Sequence, residues 1–331
     1  MMPKAPGRWR VAAGLLLLLL GCADERTPAG PGVGNGDRTL RTPSRRRSRS
    51  RVAAVSIRFW NRALEPGADG AGFDQLRVAA VFADADPRDV HLVGALVGAS
   101  EPGRTLPTRD SCVLEPRPGG HPSVAPVAWM QLLDVGDLAL LSDRGRLPVD
   151  VSLVPSLFSG VRGVRYDAER DQSRGMLAAG RLRLQGSGGD GVGRFEASVP
   201  VPRPLRFTRV AGLPVRSGRV RVSAPIDDLE LRWGSSVGGE DTVELQVGVE
   251  GERGLRWLRC RLHDDGAFTV PARLLEPLRD EDPARPWLLV IGRHVDAEIP
   301  GFPGPSLRLE LLDAVRLQPT EAAPEPRRRR R

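Results

Sequence analysis

Residues 243–249 read Val-Glu-Leu-Gln-Val-Gly-Val, with an apolar side chain at every odd position. Val243, Leu245, Val247 and Val249 therefore fall on one side of an extended chain, and Glu244, Gln246 and Gly248 on the other. Period two predicts a strand with one face on a core and the other in water. The same pattern recurs outward from this stretch. Val55, Ile57 and Phe59 alternate with Ser56 and Arg58; Leu182 and Leu184 alternate with Arg181 and Arg183. Phe195, Ala197 and Val199 alternate with Glu196 and Ser198; Leu229, Leu231 and Trp233 alternate with Glu230 and Arg232. Trp287 to Ile291 are continuously apolar, which predicts a central strand covered on both faces. Glycine- and proline-rich breaks separate the runs, and no long helical periodicity lies between them, which argues against βαβ units.

The expected fold class is all-β, with two antiparallel β-sandwich domains. The first covers residues 52–203 and the second residues 204–319, with Pro200, Pro202 and Pro204 marking the join. The second carries seven or eight strand candidates and resembles an immunoglobulin-like sandwich in size, with Trp233 as a candidate core tryptophan. It holds one cysteine, Cys260, where an immunoglobulin domain has a pair around the tryptophan.

The formal charge of +8 suggests a polyanion-binding surface until it is located. Residues 1–51 carry 11 basic and 3 acidic groups, and Arg327, Arg328, Arg329, Arg330 and Arg331 close the chain. Residues 52–326 hold 33 basic and 38 acidic groups, a net −5, so the positive excess sits at the two ends. Residues 22–51, rich in glycine, proline, arginine and serine, are expected to be a disordered tether, and residues 320–331 a disordered tail. The five terminal arginines are the candidate anion-binding residues, for lipopolysaccharide or another anionic polymer. No aromatic residue is interleaved with them, so specific nucleic-acid recognition is not expected.

The N-terminus has an address of its own. Lys4, Arg8 and Arg10 form a basic segment, followed by ten apolar residues from Val11 to Leu20. Ten residues of helix reach about 15 Å, half of a bilayer's hydrocarbon core. Leu19, Leu20, Gly21 and Cys22 follow in the order of a lipobox, and residues 1–24 resemble the signal peptide of a bacterial lipoprotein. The resemblance implies removal of residues 1–21, acylation of Cys22 and a membrane partner held through lipid. Ala23 in the next position implies the outer membrane, at its periplasmic face or the cell surface. A lipid-anchored envelope protein with a structural or protein-interaction role is therefore expected, without catalysis and without a cofactor. In that oxidising compartment the remaining pair, Cys112 and Cys260, can form a disulfide; two separate buried thiols are the alternative.

Several patterns that elsewhere carry chemistry read here as turns. Gly234, Ser236 and Gly238 match the G-x-S-x-G of serine hydrolases, which makes Ser236 the one candidate nucleophile. That motif must lead from a strand into a helix, whereas a strand begins near Thr242. Gly186, Gly188 and Gly191 match G-x-G-x-x-G but precede another strand, so a hairpin loop is expected rather than a dinucleotide site. Cys260 and His263 lie three apart in a strand and point to opposite faces, so no metal site is expected there. Asp84, Asp86 and Asp89 crowd one turn without the spacing of a calcium loop. Trp257, between Arg256 and Arg259, is expected to face outward.

Overall fold

Period-two alternation becomes strand throughout. The computed structural model describes residues 49–60, 75–97, 107–115, 130–154, 161–171, 174–177, 180–216, 218–223, 226–234, 242–251, 254–279 and 285–320. The strands are β1 (Ser50–Trp60), β2 (Gln75–Ala85), β3 (Ser111–Leu114), β4 (Met130–Leu132), β5 (Leu138–Ser142), β6 (Gly145–Val154), β7 (Val161–Asp171), β8 (Arg181–Gly186) and β9 (Phe195–Pro200). They continue as β10 (Phe207–Val210), β11 (Leu213–Pro214), β12 (Arg219–Ser223), β13 (Leu229–Trp233), β14 (Thr242–Gly251), β15 (Gly254–His263), β16 (Ala267–Val270), β17 (Trp287–Ile299) and β18 (Phe302–Thr320). Among the described residues three short helices accompany them: α1 (Val90–Leu96), α2 (Arg174–Leu177) and α3 (Ala272–Arg279). Every alternating run quoted above lies inside a strand, and the described residues are mostly β.

Fourteen strands form one sheet, in the order β3-β15-β14-β17-β18-β1-β2-β4-β7-β6-β5-β8-β9 with β12 beside β18. A second sheet of four strands runs β11-β10-β13-β16. Most neighbours are antiparallel, but β1 and β12 both run parallel to β18, and β4 runs parallel to β7. β18 is 19 residues long, so one edge has room for two partners. Leu307 to Leu312 pair with β1, and Arg316 to Thr320 pair with β12.

Two hydrophobic cores lie on the same face of the large sheet. The first gathers Ile57, Leu76, Phe82, Tyr166, Leu182, Phe195, Leu309 and their neighbours. Phe82 touches three other rings there, with centroids 6.0 Å from Tyr166, 5.5 Å from Phe195 and 5.3 Å from Phe302. Such pairs add about 0.5–1.5 kcal/mol each beyond burial, and these join four strands distant in sequence. β6 lets the sheet fold over this core. Leu147 and Val149 point inward beside β5, while Asp150 to Val154 pair with β7 on the outside.

The second core gathers Phe207, Leu231 and Trp233 of the four-stranded sheet with Val243, Leu245, Leu258, Cys260 and Leu289 of the large sheet. Leu275 and Leu278 of α3 close one side. β17 and β18 serve both cores. On one face of β17, Trp287, Leu289 and Ile291 enter the second core, and Ile299 enters the first. β18 divides likewise, with Leu307, Leu309 and Leu311 on one side and Val315 and Leu317 on the other.

Between the cores, the same inward face carries charge. Arg293, 4% exposed, forms an ion pair with Asp264, 1% exposed. Asp264 also accepts a hydrogen bond from Trp233 Nε1 at 2.9 Å. Arg293 donates to the carbonyl of Arg203 at 2.6 Å, in the proline-rich join. Asp313, fully buried, accepts from the backbone N–H of Phe207 at 2.8 Å. Removing one member of a buried pair leaves an uncompensated charge, which costs about 3–5 kcal/mol. Arg293→Met should therefore lower the unfolding free energy by about that much in urea titration. The double variant Arg293→Met/Asp264→Asn, which removes both charges and keeps an acceptor for Trp233, should recover part of the loss.

Candidate functional site

The inward face of the large sheet is spent on the cores, so chemistry must come from the opposite face. On β1 that face carries Ser56 and Arg58, between Val55, Ile57 and Phe59, which point inward. Strand register brings charged residues beside them. Arg58 lies opposite Arg77 of β2 and opposite Glu310 of β18. Arg77 in turn faces Glu169 of β7, and Ala79 faces Asp167. Arg58 Nε donates to Glu310 Oε2 at 2.6 Å, and Arg165 Nη2 to Asp167 Oδ1 at 2.6 Å. Further along, Arg308 grips Asp296 with two bonds of 2.8 and 3.1 Å, and His294 Nδ1 lies 3.4 Å from Glu244.

α1 stands over this face. Val93 and Val97 pack on Ala79, Val81, Ala83 and Ala85, whose small side chains let the helix come close. The helix ends above the charged band and leaves a cleft of about 290 Å³. Ser56, Arg58, Arg77, Ala79, Ala95, Leu96, Val97 and Arg165 line it. Arginine keeps its proton at ordinary pH, so these cations offer charge and fixed hydrogen-bond donors rather than proton transfer. The arrangement suits binding.

The site was invisible to motif reading because its members come from β1, β2, β7 and α1. α1 itself left a signal. Pro87 precedes an apolar series at Val90, Val93 and Val97, with helical spacing, and Asp89 stands at the N-cap. The aspartates that crowd this turn have other partners. Asp84 pairs with Arg51 at 3.5 Å, and Asp86 holds Arg88 through bonds of 3.1 Å.

The glycine-rich loop after β8 is a hairpin, since β8 and β9 pair antiparallel. Its glycines admit the neighbouring turn. The N–H of Gly188 bonds Val135 O at 2.9 Å and that of Ser187 bonds Asp137 O at 3.0 Å. A Cβ on Gly136, which has φ +71°, would fall 2.2 Å from Ser187 Oγ. The same turn holds the chain's single tyrosine. Tyr166 Oη donates to Asp134 Oδ1 at 2.7 Å and accepts from the N–H of Val135 at 2.8 Å.

Cys112 and Cys260 are directly opposite in β3 and β15, with Cα atoms 4.0 Å apart, and are joined by a disulfide. Their sulfurs are thus committed, and Cys260 offers no thiolate beside His263. The N–H of His263 bonds Asp110 Oδ1 at 2.9 Å, and Glu115 pairs with Arg259, so the edge strand β3 is fastened along its length. Trp257 lies on the opposite face of β15 from Cys260, and its ring covers Gly248 across the strand pair. Among the described residues, no group of three metal-binding side chains occurs and no helix is long and apolar enough to cross a membrane. Cys22, the tether up to residue 48, Ser236 and Arg327 to Arg331 lie outside the described residues. No known protein family, curated protein or solved structure matches the chain.

Two outcomes follow from this geometry. Burial first, and then the hydrogen bond to Asp134, raise the Tyr166 phenol well above its ordinary value of 10.0. The unfolded chain then loses that proton first as pH rises, so Tyr166 contributes stability that is present below pH 10 and lost on approach to the raised value. Absorbance at 295 nm should show no phenolate near pH 10 in the folded protein and abundant phenolate there in denaturant. The disulfide spans 148 positions, and on the chain-entropy account closing so long a loop stabilises by about 4–5 kcal/mol. Thermal unfolding with and without dithiothreitol should show a drop of many degrees on reduction, matched by Cys112→Ser/Cys260→Ser without reductant.

Proposed function

We propose that this chain is an exported, lipid-anchored protein of the bacterial cell envelope, with a structural or binding role and no catalytic step of its own. The observation that carries the reading is the Cys112–Cys260 bond. Structural disulfides persist in oxidising compartments and are rare in the reducing cytosol. It joins two of the three cysteines, and the third, Cys22, stands in the lipobox order Leu19, Leu20, Gly21, Cys22. Acyl chains on that sulfur and on the new amine contribute about 0.8 kcal/mol per buried methylene, and two or more chains anchor stably. Of the tether expected at residues 22–51, Ser50 and Arg51 belong to β1, so in this reading residues 22–49 are the tether, and Arg45, Arg46 and Arg47 rest on anionic headgroups at about 1 kcal/mol each.

The two cores favour a body of two sandwich modules, immunoglobulin-like in size, that share β17 and β18. β14 begins at Thr242, where a nucleophile elbow would lead into a helix, so this reading gives Ser236 no catalytic role. The terminal Arg327 to Arg331 remain a second route to anionic polymers. Mass spectrometry of protein from host membranes should find an N-terminal Cys22 carrying diacylglycerol and an acylated amine. Globomycin, which blocks lipoprotein signal cleavage, should leave a precursor longer by residues 1–21. An unmodified Cys22, or protein recovered free in the cytosol, overturns the reading.

A further inference from the structure

The geometry points to the cleft between α1 and the large sheet as a binding site for a small carboxylate with a short apolar flank. This does not depend on the lipid anchor. Four features of the cleft agree. First, Arg58 and Arg77 sit directly opposite each other on neighbouring strands. Like charges in that position destabilise a sheet, and such local conflicts are expected where a site is built. Second, Arg58 and Arg165 already hold Glu310 and Asp167, while Arg77 forms no ion pair with a described residue. With Glu169 opposite Arg77, three arginines face three carboxylates, so the cleft is close to neutral while Arg77 keeps free donors, which matches a small monoanion better than a polyphosphate. Glu169, opposite Arg77, is engaged by the side-chain amide of Gln75.

Third, donors are left over at the floor. Ser56 is 2% exposed, and its hydroxyl has no hydrogen-bond partner. Arg165 Nε is likewise buried without one. A buried polar group without a partner costs about 1–3 kcal/mol, so an oxyanion accepting from both relieves a standing penalty. Fourth, Ala79, Ala95, Leu96 and Val97 make the remaining wall apolar. At about 290 Å³ the cleft is near the lower limit of small-molecule pockets, which suits a small occupant. In the bound complex one carboxylate is gripped by the Arg77 guanidinium, two parallel bonds being the usual Arg–carboxylate geometry. The Ser56 hydroxyl completes its coordination, and the short alkyl end meets Leu96 and Val97.

Calorimetry of the purified full-length protein with sodium butyrate, sodium acetate and inorganic phosphate tests this. Butyrate should bind saturably, and at least fivefold more tightly than acetate, since each buried methylene is worth about fourfold. Arg77→Gln, at an exposed position that the fold does not need, should weaken butyrate at least tenfold. Ser56→Ala should weaken it severalfold while leaving thermal unfolding unchanged or higher. Absence of saturable butyrate binding up to 50 mM, binding indifferent to Arg77→Gln, or equal affinity for acetate each overturns the proposal. Phosphate binding tenfold tighter than butyrate overturns the carboxylate assignment. Any of these results leaves the lipid on Cys22 to its own separate measurement.

Discussion

The ion pair of Arg293 and Asp264 is the constraint around which the body is arranged. It lies where two hydrophobic cores would otherwise merge along β17 and β18. A guanidinium and a carboxylate out of water tolerate few positions, because each needs its partner and most of its hydrogen bonds at once. The Trp233 indole and the Arg203 carbonyl meet those needs from two segments, and Asp313 separately holds the backbone N–H of Phe207. The proline-rich join is thereby pinned to the large sheet. The charge at 293 ties Asp264, Trp233 and the join to one place on the sheet.

The two faces of the large sheet then divide the labour. One is committed to the cores, and the other carries a band of arginine, aspartate, glutamate and histidine across β14, β17, β18, β1, β2 and β7. Most of that band is internally paired, and surface pairs of this kind add little stability. Its unused hydrogen-bond donors are local, on Ser56 and Arg165 beside Arg77 beneath the end of α1. A face that is charged yet nearly neutral still offers one notch lined by arginines.

Edges need protection in so extended a sheet, because unpaired strand edges invite association with other chains. β3 closes one edge with a covalent bond, an ion pair and backbone bonds from Asp110 and Glu115 at its two ends to the carbonyls of Arg261 and Trp257. β9 returns over the first core at the other end of the order, close to β17. Trp257 shields the backbone at Gly248 where no side chain stands. These are local devices, each built from a residue pair that the linear chain keeps apart.

Residue order alone determined the class. Alternation at Val55 to Phe59, Leu182 to Leu184, Phe195 to Val199, Leu229 to Trp233 and Val243 to Val249 is a one-dimensional property, and it made strands with the expected faces inward. The hairpin nature of the Gly186–Gly191 loop and the opposite facings of Cys260 and His263 were legible for the same reason. The parallel pairing of β1 with β18, the sharing of β17 and β18 by two cores, the Cys112–Cys260 bond and the cleft around Arg77 were decided by tertiary structure. Each joins residues from tens to hundreds of positions apart, and periodicity says which way a side chain points but not which strand lies beside it. Arg58, Arg77 and Arg165 look like ordinary solvent-facing residues in their own strands. Only register and the placement of α1 make them neighbours.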